Sequence, residues 1–280
     1  MSSLIKRILL FIIVTPIIGV ITLFLPFYNH LVLNILLIAG TVFCTKETAQ
    51  FFIQRDFLHT YSFILPFAGI LPASAYLEVI GVLPFGSLLP IFLVSAGIIL
   101  AKSVFIRESS DFSRLLTELM ANITLLVYPI LFSTFIIKLS MFENARYCIL
   151  LFFMMTFFND ASAYAFGMLF GKRKRVITPV SPNKTAAGFI AGFLTSIFIA
   201  VLTKYFLPAV FTVSYGKMIF IGTVIGIVCI LGDLVESAIK RSARVKDSGD
   251  VVPGRGGLLD SLDSLIFSAP IYFYLLKFIL

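Results

Sequence analysis

GDLVESAIKRSARVKDSGDVVPGRGGLLDSLD, residues 232–263, sets acids, bases and a Pro- and Gly-rich turn between two segments that otherwise read as membrane-spanning helices. Charge at that density beside hydrocarbon costs free energy, so it marks a site. Asp233, Glu236 and Lys240 are spaced by three and four residues and fall on one helical face, and Asp260 and Asp263 repeat the spacing at the start of the next helix. Carboxylate pairs facing each other suit a metal ion. The intervening Lys240, Arg241, Arg244, Lys246 and Arg255 suit a polyphosphate that such a metal would escort.

Outward from this stretch the chain is apolar: 59% of its 280 residues are hydrophobic and 13% are charged, with a mean hydropathy of +1.05. A soluble core of this size could not bury so much apolar surface, whereas the long apolar runs fit spans of about 20 residues. The expected fold class is therefore all-α, a polytopic integral membrane protein of about nine transmembrane helices. The spans are placed near 8–26, 30–45, 57–77, 82–101, 119–137, 147–170, 188–208, 217–235 and 262–279. Lys6 and Arg7 precede the first span, which is read as a retained helix because it lacks a small-x-small cleavage site. Seventeen of the 22 Lys and Arg lie in the N-terminus and in loops 46–56, 102–118, 171–187 and 236–261. The excess makes these segments cytoplasmic and puts the C-terminus outside. The chain is treated as one transmembrane domain, 1–280, with hydrophobic N-terminal helices in 1–145 and the polar constellations in 146–280.

The net charge of +8 fits topology and anionic membrane lipids, and dispersal of the bases among apolar segments argues against nucleic acid. Cys44, Cys148 and Cys229 sit inside apolar runs without paired spacing, so they read as packing residues. The 31 Phe, with no Trp, read as lipid-facing and helix-packing groups.

A second constellation is NDASAYAFGMLFGKRKRVITPVSPNKT, residues 159–185. Asn159 and Asp160 precede Gly171 by roughly 16 Å of helix, which places them inside the membrane facing the bundle interior. Asp160 is read either as a buried acid with a basic or hydroxyl partner or as part of a reaction centre. Ala161, Ser162, Ala163 and Ala165 would let neighbouring helices approach closely. The run Lys172 to Arg175 reads as an anchor on the cytoplasmic side. Ser181, Lys184 and Thr185 present two hydroxyls and an ammonium just before a Gly-containing helix, a phosphate-binding arrangement that lacks the glycine pattern of a P-loop.

Together the two constellations resemble the phosphatidate cytidylyltransferases, or CDP-diacylglycerol synthases. Ser237, Lys240, Arg241, Lys246, Asp247, Pro253, Gly256, Gly257, Asp260 and Asp263 match that family's pattern in register, and Asp160, Ser181, Pro182, Lys184 and Thr185 match its upstream blocks. The resemblance covers roughly the C-terminal half, while residues 1–145 match only as hydrophobic spans. Arg255 stands where the family commonly has His, Ser261 where it has Arg, and Ala186-Ala187 where it has an aromatic residue and Glu. Arg255 keeps a positive charge but cannot serve as an acid–base group at neutral pH.

The resemblance implies transfer of a cytidylyl group from CTP to phosphatidate, giving CDP-diacylglycerol and pyrophosphate for phospholipid synthesis. It further implies an enzyme of the bacterial inner membrane, with its active site on the cytoplasmic side, and is compatible with a homodimer. Mg²⁺ is the expected cofactor, with a second, monovalent cation left open. Asp233 and Asp260 are assigned as principal metal ligands and Asp263 as a supporting one. Asp160, Lys240 and Asp247 are assigned to the catalytic centre, Asp247 by orienting a base. Asn159, Ser181, Lys184, Thr185, Arg241, Lys246 and Arg255 are assigned to substrate. Three alternatives stay open: a CTP-dependent lipid or polyprenol kinase or a cytidylyltransferase acting on another lipid phosphate; an ion-coupled transporter working through Asp160, Asp233 and Asp260; and a catalytically silent scaffold. The transporter reading predicts mid-span acids in paired broken helices, whereas most acids here cluster at one end and no internal repeat is visible. A phosphatidate site must open sideways to the inner leaflet, because each methylene drawn into water costs about 0.8 kcal/mol.

Overall fold

The computed structural model describes residues 3–105, 112–171, 178–252 and 256–280, with side chains from Ile13 onward apart from Ser113. Arg255, Pro253 and the basic run 172–175 lie outside the described residues. Those described form helices: α1 Ser3–Phe24, α2 Phe27–Ile53, α3 Leu65–Val79, α4 Leu88–Ala101, α5 Phe112–Leu125, α6 Phe132–Lys138, α7 Ala145–Phe170, α8 Ala186–Phe206, α9 Tyr215–Ser242 and α10 Leu259–Ile279. Among them there is no strand, only an isolated antiparallel bridge between Val252 and Gly256. Among the described residues seven segments are long and apolar enough to cross a membrane, and Leu65–Val79 is a shorter apolar helix. The polytopic all-α class therefore holds, and α1 and α3 lie where the first and third of the expected nine spans were placed.

Several boundaries move for identifiable reasons. The segment read as loop 46–56 is helical as far as Ile53, so Lys46 and Glu47 belong to α2. Thr41, Thr45 and Thr48 allow this extension, because each hydroxyl donates to the carbonyl four residues back, at 2.8, 2.7 and 2.7 Å, and so satisfies itself in a buried helix. The third span shortens to α3, which starts with Pro66 in its first turn, where a missing N–H costs nothing. The fifth is one continuous crossing, Arg114–Met141. In it a wide π turn, Leu126–Leu131, joins α5 to α6 and accommodates Pro129.

Close approach of α7, α8 and α9 rests on small residues at helical spacing. Gly188 and Gly192 of α8 face α7: a Cβ on Gly188 would lie 2.5 Å from the Ala163 carbonyl oxygen, and one on Gly192 2.7 Å from Asn159 Oδ1. Gly222 of α9 faces α8, where a Cβ would come within 2.6 Å of Ile197 Cα. Apolar surface gains little from leaving lipid for a helix contact, so tight backbone packing and polar bonds supply the association. Gly222→Leu is accordingly expected to lower the melting temperature of the detergent-solubilised protein clearly, since overpacking costs about 1–3 kcal/mol. Gly69→Leu, where a Cβ meets nothing within 4 Å, should leave it nearly unchanged. Equal melting temperatures for the two variants would contradict the packing assigned to α8 and α9.

Candidate active site

The last turns of α9 and the first turns of α10 run side by side and bring the charged faces together. Gly232 permits this, because a Cβ there would lie 2.7 Å from Phe267 Cβ and 3.2 Å from Ser264 Cα. The next residue, Asp233, forms an ion pair with Lys184. One turn on, Glu236 is fully buried, and its Oε2 pairs with Lys240 at 2.5 Å. Lys240 also reaches Asp260 Oδ1 at 2.5 Å, so a single ammonium bridges the two helices. Asp263 is 5% exposed, and its Oδ1 accepts the Ser264 N–H at 2.6 Å.

Asp233, Glu236 and Asp263 each direct a carboxylate oxygen to one point, with the oxygens within 4.8 Å of one another. At that separation two full charges repel by about 3–4 kcal/mol for an effective dielectric constant of about 20. Glu236 Oε1 is buried and has no hydrogen-bond donor among the described residues. Three neighbouring carboxylates and an orphaned oxygen could hold a hard divalent cation. Glu236, noted in the sequence for its place on the helical face but not assigned as a ligand, belongs to this group. Asp260, assigned as a principal ligand, lies beside this group: its Oδ1 shares Lys240 with Glu236, and its Oδ2 holds the Ser248 N–H at 2.7 Å and the Gly257 N–H at 2.8 Å. Its geometry is that of a clamp on the loop before α10.

That clamp has a second jaw from the far half of the chain. Glu47 of α2 accepts the Leu258 N–H at 2.9 Å on Oε1 and the Leu259 N–H at 2.8 Å on Oε2, capping α10, whose own N-cap residue Leu258 has no side-chain bond to offer. Ser248 Oγ lies 2.9 Å from Asp260 Oδ2 and 3.1 Å from Glu47 Oε2, so its one proton is shared between the jaws. The Gly-Gly pair exists for these carboxylates: Gly256 has φ +113°, and a Cβ on Gly257 would strike Ser248 Oγ and Glu47 Oε2. Nothing in the sequence connects residue 47 with residues 248–259. Its only signal is an acid at the end of an apolar run.

The remaining assigned residues divide. Asp160 accepts a hydrogen bond from Ser264 Oγ at 3.2 Å on Oδ1 and lies within electrostatic range of Asp263, so it belongs with the cluster. Asn159 is 1% exposed, and its Nδ2 donates to Ser196 Oγ at 2.9 Å and to the Gly226 carbonyl at 3.3 Å; its amide nitrogen ties α7, α8 and α9 together. Thr185 caps α8 by accepting the Gly188 N–H at 3.2 Å, and the Ser181 carbonyl accepts the Lys184 N–H at 3.1 Å, closing the turn that aims Lys184 at Asp233. Arg241, Lys246 and Asp247 are exposed, with Arg241 Nη1 3.4 Å from the Val245 carbonyl oxygen. Six acids, Glu47, Asp160, Asp233, Glu236, Asp260 and Asp263, thus gather where α9 meets α10, with Lys184 paired to Asp233 and Lys240 paired to Glu236 and Asp260.

A phosphatidate cytidylyltransferase of Staphylococcus haemolyticus is 41% identical over 130 residues, covering 46% of this chain and 48% of that protein. One of Chlamydia trachomatis is 43% identical over 121 residues, covering 42% and 39%. An uncharacterized Escherichia coli protein, YnbB, is 38% identical over 136 residues, covering 49% and 44%. The matched part spans about half the length of these relatives or less. The profile of the Cytidylyltransferase family, by contrast, matches residues 5–279, and the chain belongs to that family.

Proposed function

We propose that this chain transfers the cytidylyl group of CTP to phosphatidate, releasing pyrophosphate and leaving CDP-diacylglycerol in a bacterial inner membrane, with the site on the cytoplasmic side. The observation that carries the reading is the convergence of Asp233, Glu236 and Asp263 beside Lys184 and Lys240 inside a helix bundle of this family. A phosphate-monoester oxygen of phosphatidate attacks the α-phosphorus of CTP, and the bond from that phosphorus to the bridging oxygen of pyrophosphate breaks. That oxygen is a nucleophile at neutral pH without help, so positioning and charge neutralisation supply the rate and no residue need take a proton. Asp233, Glu236 and Asp263 would hold Mg²⁺, whose contribution when bound is to neutralise phosphate oxygens. Lys184 and Lys240, already held at the cluster by carboxylates, can turn to phosphate oxygens without leaving it. Asp260 and Glu47 fix the loop that carries Lys246 and Asp247.

An apolar groove of about 510 Å³ between α7 and α8 supports entry of the lipid from the side, because Phe166, Phe170, Ile190 and Leu194 line it just beyond the Lys184–Thr185 turn. CTP would arrive from water through the basic loops. Purified protein given Mg²⁺ and phosphatidate should move label from α-phosphate-labelled CTP into a lipid-soluble product and none from γ-phosphate-labelled CTP. Label arriving from the γ position instead would identify a lipid kinase, and transfer from neither would overturn the reading.

A further inference from the structure

Tyr128 lies in the wide turn Leu126–Leu131, far in sequence from every motif that carries the family resemblance. Turns of this kind, with one residue more than the α-helix allows, recur at functional sites. The residue is 5% exposed, and its ring stands edge-on to Phe132 at 6.4 Å and tilted against Phe267 at 6.4 Å. It also shares an apolar cluster with Leu259 and Ile266 of α10. Leu259, Asp263 and Ile266 repeat at helical spacing, so the face of α10 that packs on Tyr128 is the one that carries Asp263. Phe267 in turn backs onto Gly232, next to Asp233.

The ring is fixed by packing, but the phenolic oxygen is not engaged. It is buried and has no hydrogen-bond partner among the described residues, although it lies within electrostatic range of Asp263, Glu236 and Asp233. Buried hydroxyls almost always find a partner, and an orphan beside a cluster of acids calls for a specific cause. A phenol is a donor well suited to an oxyanion. The carboxylates would draw such an oxyanion in through a shared cation.

Resting on the function proposed above, we infer that Tyr128 donates a hydrogen bond to a phosphate oxygen of the substrate bound over Asp233, Glu236 and Asp263, so that the N-terminal helices supply a phosphate ligand to the site. Tyr128→Phe keeps the ring and removes only the hydroxyl; Phe132→Leu disturbs the same packing and leaves the hydroxyl in place. Tyr128→Phe should melt within about 2 °C of the parent and bind Mn²⁺ equally well, while kcat/KM falls roughly 10- to 100-fold, the range of a lost hydrogen bond to a charged group. Calorimetry with Mn²⁺ and inorganic pyrophosphate separates the two phosphate sources. Binding weakened about tenfold or more assigns the contact to the nucleotide, and unchanged binding with the loss in KM or turnover for phosphatidate assigns it to the lipid phosphate. Phe132→Leu should lower the melting temperature without either change. Unaltered kinetics together with unaltered pyrophosphate binding in Tyr128→Phe would overturn the inference, as would its failure to fold, which would assign the hydroxyl to stability. Pyrophosphate binding does not depend on lipid product, so a parent protein that binds it and forms no CDP-diacylglycerol would refute the proposed reaction and still test Tyr128.

Discussion

Asp233→Asn is expected to lower turnover about 10³-fold or more at saturating CTP, phosphatidate and Mg²⁺, with little change in melting temperature. The amide keeps the shape and one acceptor of the carboxylate but loses the charge that a hard cation requires. Charge stabilisation by a bound ion is worth several kcal/mol in a transition state, and each 1.4 kcal/mol or so is a factor of ten in rate. The same change releases Lys184 from its ion pair, so the variant also loses the group that holds one ammonium at the cluster. Stability should survive because the Asp233 side chain is 36% exposed and water can solvate what remains. Asp260→Asn should behave differently: its carboxylate organises the loop before α10, so melting temperature and turnover should fall together. Glu143→Gln, an exposed acid in the short connection before α7, should change neither. Transfer rates titrated against Mg²⁺, alongside thermal unfolding, separate the three. Near-parental turnover of Asp233→Asn with an unchanged Mg²⁺ requirement would remove the three-acid centre.

The contrast between Asp233 and Asp260 shows how far the sequence could be read. Spacing by three and four is a local property, so it correctly put Asp233, Glu236 and Lys240 on one face and Asp260 and Asp263 on another. Which carboxylate joins the three-acid group and which meets backbone N–H groups depends on contacts across α2 and α10. That Asn159 and Asp160 turn toward neighbouring helices was legible from polar residues set in an apolar run. Their division of labour was not, because Ser196 and Gly226, the partners of Asn159, and Ser264, the partner of Asp160, lie on other helices. The end of α2 was misplaced for a related reason. Hydropathy falls at Thr45-Lys46-Glu47-Thr48, but threonines that bond back along their own helix remove the cost that would have ended the span.

Glu47→Ala carries this contact to its consequence, and it should cost the protein both stability and activity. The carboxylate satisfies two N–H groups at the start of α10 and shares the Ser248 proton. Each buried donor left without a partner costs about 1–3 kcal/mol, and loss of a negative charge at a helix N-terminus adds roughly 0.3–1 kcal/mol. A destabilisation of about 3 kcal/mol is therefore expected, read as a clear drop in melting temperature. Because α10 begins with Asp260 and Asp263, fraying of its first turn displaces the clamp and one member of the three-acid group, and turnover should fall about 100-fold or more. Glu47→Gln retains one carbonyl acceptor of nearly the same reach, so it should recover part of both losses. Lys46→Ala, on the exposed side of the same turn, should change neither. If Glu47→Ala instead melts and turns over like the parent, α2 does not support the site.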